Sequence, residues 1–143
     1  MILLIHAGAT WALIGLIWTI QQVHYPLFAF IGTDAFPAYE VAHVNRILLL
    51  VFPLMLVELL TAIYLTVSPP ANIPSLIFWT GLTLVIFIWL ATVFINLPQH
   101  NRLVTNFDST THQALVTTNW LRTLLWTIRG GLMGWVLWQL LEL

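Results

Sequence analysis

The residues of this chain that could do chemistry are five histidines, the acids Glu40, Glu58 and Asp108, and the arginines Arg122 and Arg129. His24, His43, His100 and His112 stand at the ends of four different apolar stretches, so a helical bundle would deliver one imidazole from each helix to a common level. Neutral imidazoles are common ligands for zinc, copper and iron, and Glu40 or Asp108 would complete a mixed nitrogen and oxygen shell. The chain contains no cysteine, which excludes disulfides, thiolate ligands and cysteine-held iron-sulfur clusters. No local HxxxH or HExxH spacing is present, so a metal site rests on tertiary convergence alone. The alternative is that each histidine is an isolated polar residue at an interface.

Glu58 is the only acid placed deep inside an apolar stretch. It lies roughly 16 Å of helical rise from the histidine level, and Arg129 lies roughly 20 Å from it on another helix. The two are expected to pair directly or through one water, because an unpaired charge at a bilayer centre costs about 2.5 to 3.5 kcal/mol on insertion scales. Arg122 is then left nearer the histidines, free to contact an anionic group, with Asn119 beside it to orient a polar substrate atom. Glu58, Arg122, Arg129 and Asn119 form the candidate catalytic set, and a purely structural polar clamp is the competing reading. His6 stands apart at the opposite end, level with Tyr64. It is a candidate axial ligand for a haem packed on Trp126 or Trp135, or a histidine bonded to a neighbouring helix.

These residues need a scaffold, and composition dictates one. Hydrophobic residues make up 60% of the chain and charged residues 6%, a balance that makes the bilayer the expected solvent. Ile2 to Gln22, Ile47 to Val67, Ser75 to Asn96 and Val116 to Leu140 each approach or exceed the roughly 20 residues that one helical crossing requires. The runs are continuously apolar rather than alternating, which excludes a β-barrel. The expected fold is therefore all-α, one integral-membrane antiparallel four-helix bundle over residues 1–143.

Threading the crossings in order puts both termini and the tight turn Ser68 to Pro74 at one side, A, and the longer connections 23–46 and 97–115 at the other, B. Arg46 and Arg102 lie on side B, so the positive-inside rule assigns it to the cytoplasm. The first run lacks a basic leader, and polar Gln21, Gln22, His24 and Tyr25 follow it, so it reads as a retained helix rather than a signal peptide.

Periodicity adds the faces. His6, Thr10, Leu13, Ile17, Gln21 and His24 recur at steps of three or four and should face protein, as should Asn119, Arg122, Trp126, Arg129 and Met133. Gly8, Ala12 and Gly15 form a stripe that would admit a close helix neighbour, and the Gly130 to Gly134 GxxxG pair permits internal packing or a homo-oligomer. Pro53 inside the second run should free the Leu49 carbonyl and bend the helix.

The stretches QQVHYPLF (21–28), FPAYEVAHVNRI (36–47), LPQHNRL (97–103), NFDSTTHQALV (106–116) and NWLRTLLWTIR (119–129) resemble a group of small bacterial four-span membrane proteins of uncharacterised function. That resemblance covers most of the chain and implies a bacterial inner-membrane location. Size and architecture are more remotely similar to the anthrone-oxygenase-like membrane proteins, which implies oxidation of a lipophilic aromatic substrate. The early histidine of helix one and the run Tyr39, Glu40, Arg46, Ile47, Pro53, Met55 loosely resemble the small bacterial membrane protoporphyrinogen oxidases. That likeness implies haem on His6, whereas the lysine that family uses in a later helix has no counterpart, since the chain has no lysine.

Two functional classes follow. One is an integral membrane oxidoreductase using a haem or a His-ligated transition metal on a lipophilic small molecule from the bilayer. The other is a non-catalytic binding or transport module whose polar column carries protons or holds a lipid headgroup. A structural subunit of a larger complex is a third, plainer class. A phosphate-binding glycine loop, a serine nucleophile motif and a basic patch are all missing, so ATP chemistry is not expected and nucleic acid is not an expected partner.

Overall fold

The computed structural model describes residues 1–142, and among them every regular element is helical. Four continuous helices account for the chain: α1 (Ile2–Phe30), α2 (Phe36–Val67), α3 (Ser75–Thr105) and α4 (Ser109–Leu141). All four reach further than hydrophobicity alone indicated. The stretches 23–46 and 97–115, expected to be long connections, are mostly helix, and only residues 31–35 and 106–108 leave it. The extra turns of α2, α3 and α4 are amphipathic, which a search for continuous apolar runs discards, and those of α1 and α3 contain Pro26 and Pro98, which read in sequence as helix boundaries.

Turn chemistry explains the ends. Pro69 and Pro70 follow the last turn of α2, and Pro74 immediately precedes α3, where a missing N–H costs nothing. Asp108 caps α4: its carboxylate accepts from the Thr111 backbone N–H at 2.8 Å and the Thr111 hydroxyl at 2.5 Å. Those bonds hold the exposed Asp108 carboxyl below its ordinary pKa. α2 runs unbroken across Pro53.

α1 and α3 each contain one π-helical segment, Ile20–His24 and Thr92–Asn96. A proline follows each closely, Pro26 and Pro98, and its ring displaces the carbonyl four residues earlier. Those carbonyls belong to Gln22 and Phe94, both inside the π segments, so the widened turn absorbs the proline.

The helices are tied along their whole length. His6 near the start of α1 bonds Thr61 near the end of α2, while His24 late in α1 bonds His43 early in α2. Gly81 meets Arg129, and Gln99 meets Thr118, joining α3 to α4 in the same reversed order. Three apolar layers fill the interior. Ala7, Leu65, Phe78 and Met133 lie near the α2–α3 turn, Leu13, Met55, Ile88 and Trp126 at mid-length, and Tyr25, Phe28, Phe36, Leu103 and Leu115 at the far end.

Three helices, α1, α2 and α3, are long and apolar enough to cross a membrane, one fewer than the sequence suggested. α4 falls short because Asn119, Arg122, Thr123 and Arg129 dilute its hydrophobicity, and all four point into the bundle. Close approach between α1 and α4 occurs at Gly130, where a Cβ would stand 2.3 Å from Ile14 Cδ1. Gly134 plays no such part, and the Gly8, Ala12, Gly15 stripe faces outward instead of receiving a helix of this chain.

Candidate functional site

Polar residues collect in two places inside the bundle. Mid-length, Glu58 of α2 receives three donors: Thr10 Oγ1 at 2.8 Å and Arg129 Nε at 3.0 Å on Oε1, and Trp126 Nε1 at 3.0 Å on Oε2. The expected Glu58 and Arg129 pair is thus a direct ion pair, with both side chains at most 3% exposed. Arg129 also donates through Nη1 to the Gly81 carbonyl and lies 3.1 Å from His6 Nε2 through Nη2. His6 Nδ1 is 2.7 Å from Thr61 Oγ1.

This network closes on itself. Both His6 ring nitrogens are engaged, and the cavity beside it holds about 20 Å³, the space of one water rather than of a porphyrin. Tyr64, grouped with His6 from the sequence, is 54% exposed and takes no part, and Trp126 is spent on Glu58. The residues marked out for haem therefore do not form an axial site in this arrangement. His6 meets Thr61 because an inward-facing residue of α2 lies about one turn from Tyr64, a detail that level-matching along the helix axis does not resolve.

The second collection lies at the opposite end, where the π segments sit. Glu40 and His43 project from the first turns of α2 and His100 from α3, and each offers one ligand atom within 4.8 Å of the others. All three are buried, so this His₂Glu group can hold a metal ion. His100 Nδ1 is 2.5 Å from Glu40 Oε1, and its Nε2 is 2.8 Å from the Tyr25 hydroxyl. His43 Nδ1 is 2.9 Å from His24 Nε2. Two atoms are left over: Glu40 Oε2 and His43 Nε2 are buried without any hydrogen-bond partner.

The four-histidine expectation narrows accordingly. His43 and His100 stand in the group, His24 stands behind His43, and His112 does not join. Its Nε2 donates to the Tyr25 carbonyl at 2.8 Å, tying α4 to the backbone near the end of α1. Asp108, the other acid considered for the shell, is the exposed cap of α4, which leaves Glu40 as the carboxylate. Tyr25 was not singled out as a site residue by sequence reasoning, and Asn96 was placed only in the polar group with Gln99 and His100 at the end of the third apolar run. The signal for both is the proline that follows them, in His24-Tyr25-Pro26 and Asn96-Leu97-Pro98.

Arg122 and Asn119 lie next to this group. Asn119 Nδ2 donates to Gln21 Oε1 at 2.9 Å, and Arg122 Nη1 donates to Asn119 Oδ1 at 3.2 Å, while the guanidinium carbon sits 5.2 Å from the centre of the Trp126 ring. The expected position of Arg122 between the ion pair and the histidines is what the fold produces. An apolar cavity runs between α1, α2, α3 and α4 here, with Tyr25, His100, Asn96 and Arg122 in its wall.

No family model, curated protein or solved structure matches the chain.

Proposed function

We propose that the protein is an integral membrane oxidoreductase, an antiparallel four-helix bundle that uses a His-ligated transition metal on a lipophilic substrate. The single observation that carries the reading is the buried Glu40, His43, His100 group with one unpartnered ligand atom on Glu40 and another on His43. Buried polar atoms without partners cost on the order of 1 to 3 kcal/mol each, so a fold that retains two of them together points to a third party that satisfies both. Two histidines and one carboxylate with open positions are the donor set of non-haem iron(II) oxygenases, which makes dioxygen the co-reactant.

The chain supplies positioning. His24 and Tyr25 lie behind His43 and His100, each on the ring nitrogen not needed for the metal, and so fix the tautomers as outer partners of metal-binding histidines do. The bound metal would supply the oxidising chemistry. Substrate comes from the bilayer: large apolar side chains such as Leu4, Leu49, Leu60, Phe94 and Leu124 cover the outside of all four helices at 53% exposure or more, a surface that water would not tolerate. The group lies at the end of the bundle that carries Arg46 and Arg102, which supports a cytoplasmic placement under the positive-inside rule.

Metal analysis of detergent-purified protein tests this directly. About one iron, or another first-row metal, per chain is expected, falling to background in His43→Ala and Glu40→Gln variants that retain their helical circular dichroism. Metal content below a tenth of an equivalent after anaerobic iron loading would overturn the reading. A second reading, the non-catalytic proton-linked or headgroup-binding module, draws on the column Gln21, Asn119, Arg122. Trp126, a donor only, separates that column from Glu58, which leaves a proton path broken at mid-length.

A further inference from the structure

The cavity beside the His₂Glu group has an unusual wall. Arg122 is 6% exposed and Asn96 2%, yet Arg122 Nε and both side-chain polar atoms of Asn96 have no hydrogen-bond partner. Among the described residues the ion pairs are Glu40 with His100 and Glu58 with Arg129, so no carboxylate compensates Arg122. A buried guanidinium without an anion is costly, and so is a buried amide with nothing to bond. Both line one cavity, with Tyr25, Thr92 and His100 also in its otherwise apolar wall.

The cavity encloses about 100 Å³, room for a small headgroup and the start of its apolar body. It is also lined by Leu48 and Leu97, 55% and 44% exposed, so it opens sideways between α2 and α3 onto the outer apolar face of the bundle. A guanidinium is shaped to grip a planar anion with two parallel N–H groups. One cation in a space this small matches one negative charge on a compact group, and excludes the bulk of a phospholipid headgroup.

We propose that this cavity binds a lipophilic carboxylate, its head held by Arg122 and Asn96 and its apolar tail extending past Leu48 and Leu97 into the bilayer. The proposal deepens the oxidoreductase reading by naming the class of substrate, since His100 and Tyr25 form the wall facing the head. The binding site itself does not depend on the metal. Tyr25 and Asn96 reach the cavity because the two proline-linked π segments stand at this level, which gives those distortions a use.

Equilibrium dialysis of radiolabelled dodecanoate against the full-length protein in dodecylmaltoside at pH 8 tests it. Saturable binding of about one dodecanoate per chain is expected, with methyl dodecanoate competing at least roughly tenfold less well. Arg122→Gln should weaken dodecanoate roughly tenfold or more, a difference of about 1.4 kcal/mol. Asn96→Leu, which removes no charge and keeps the fold even where Arg122→Gln does not, should weaken it severalfold. The metal-free His43→Ala protein should still bind dodecanoate, so loss of metal binding alone would overturn the oxidoreductase reading and leave this one standing. Absence of saturable binding to the wild type, equal competition by the methyl ester, or unchanged affinity in both cavity variants would overturn the carboxylate site.

Discussion

Glu58 and Glu40 are both acids buried on α2, five turns apart, and they live in opposite conditions. Glu58 accepts three hydrogen bonds and neutralises Arg129, while Glu40 meets His100 on one oxygen and nothing on the other. The same contrast runs through their neighbours. His6 uses both ring nitrogens and His43 uses one; Arg129 is bonded at Nε, Nη1 and Nη2, and Arg122 leaves Nε bare. A polar network that closes internally needs no ligand and reads as architecture. One that stays open around a cavity can be completed by a ligand, and that difference is why the proposed function is assigned to the histidine end.

The contrast breaks most visibly if Glu58 is removed. Glu58→Ala strands Arg129 in the interior and should cost about 3 to 5 kcal/mol, read as a large fall in thermal midpoint in detergent and as lost expression. Glu58→Gln keeps an acceptor for Thr10 and should cost less. If metal content per folded chain changes with either, the mid-length network is not merely architectural.

The open end should respond to a ligand instead. Iron(II) at a hundredfold excess over its dissociation constant should stabilise the wild type by about 2.7 kcal/mol and leave His43→Ala unmoved, as measured by thermal denaturation under anaerobic conditions. Equal stabilisation of both proteins would place the metal elsewhere.

A matched pair sharpens the comparison further. Thr10→Val removes one donor to a buried carboxylate and should cost about 1.5 to 3 kcal/mol. Asn96→Leu removes polar atoms that have no partner, and should leave the ligand-free protein equally or more stable. Opposite signs in denaturation midpoints would confirm that only one of the two regions is internally satisfied.

The smallest effect belongs outside both regions, at the α4 cap. Asp108 has a folded pKa below its unfolded value, so its contribution is present above about pH 4 and is lost as pH falls through the folded pKa. Asp108→Ala should lower the midpoint slightly at pH 7 and by less as pH falls through the folded pKa, while Asp108→Asn, a good cap without charge, should remove most of the pH dependence.

Much of this was legible in the amino-acid order. Apolar runs located four helices, and three- and four-residue spacing assigned the inward faces of α1 and α4, on which His6, Thr10, Gln21, Asn119, Arg122 and Arg129 are indeed buried. Axial bookkeeping brought Glu58 to Arg129, because helical rise is fixed at about 1.5 Å per residue. Helix ends were underestimated where the chain stops being continuously apolar, and α4 misses the mean hydropathy of α1, α2 and α3 because it carries the polar face that the bundle buries.

The sequence by itself determined which residues face inward and at what depth, since period and rise are properties of a single helix. Only the tertiary structure decided which of them close on one another. Rotation and proline-induced π turns set contacts to within an ångström, and those contacts consumed His6 and His112, joined Glu40 to two of the four histidines, and left Arg122 and Asn96 facing a cavity.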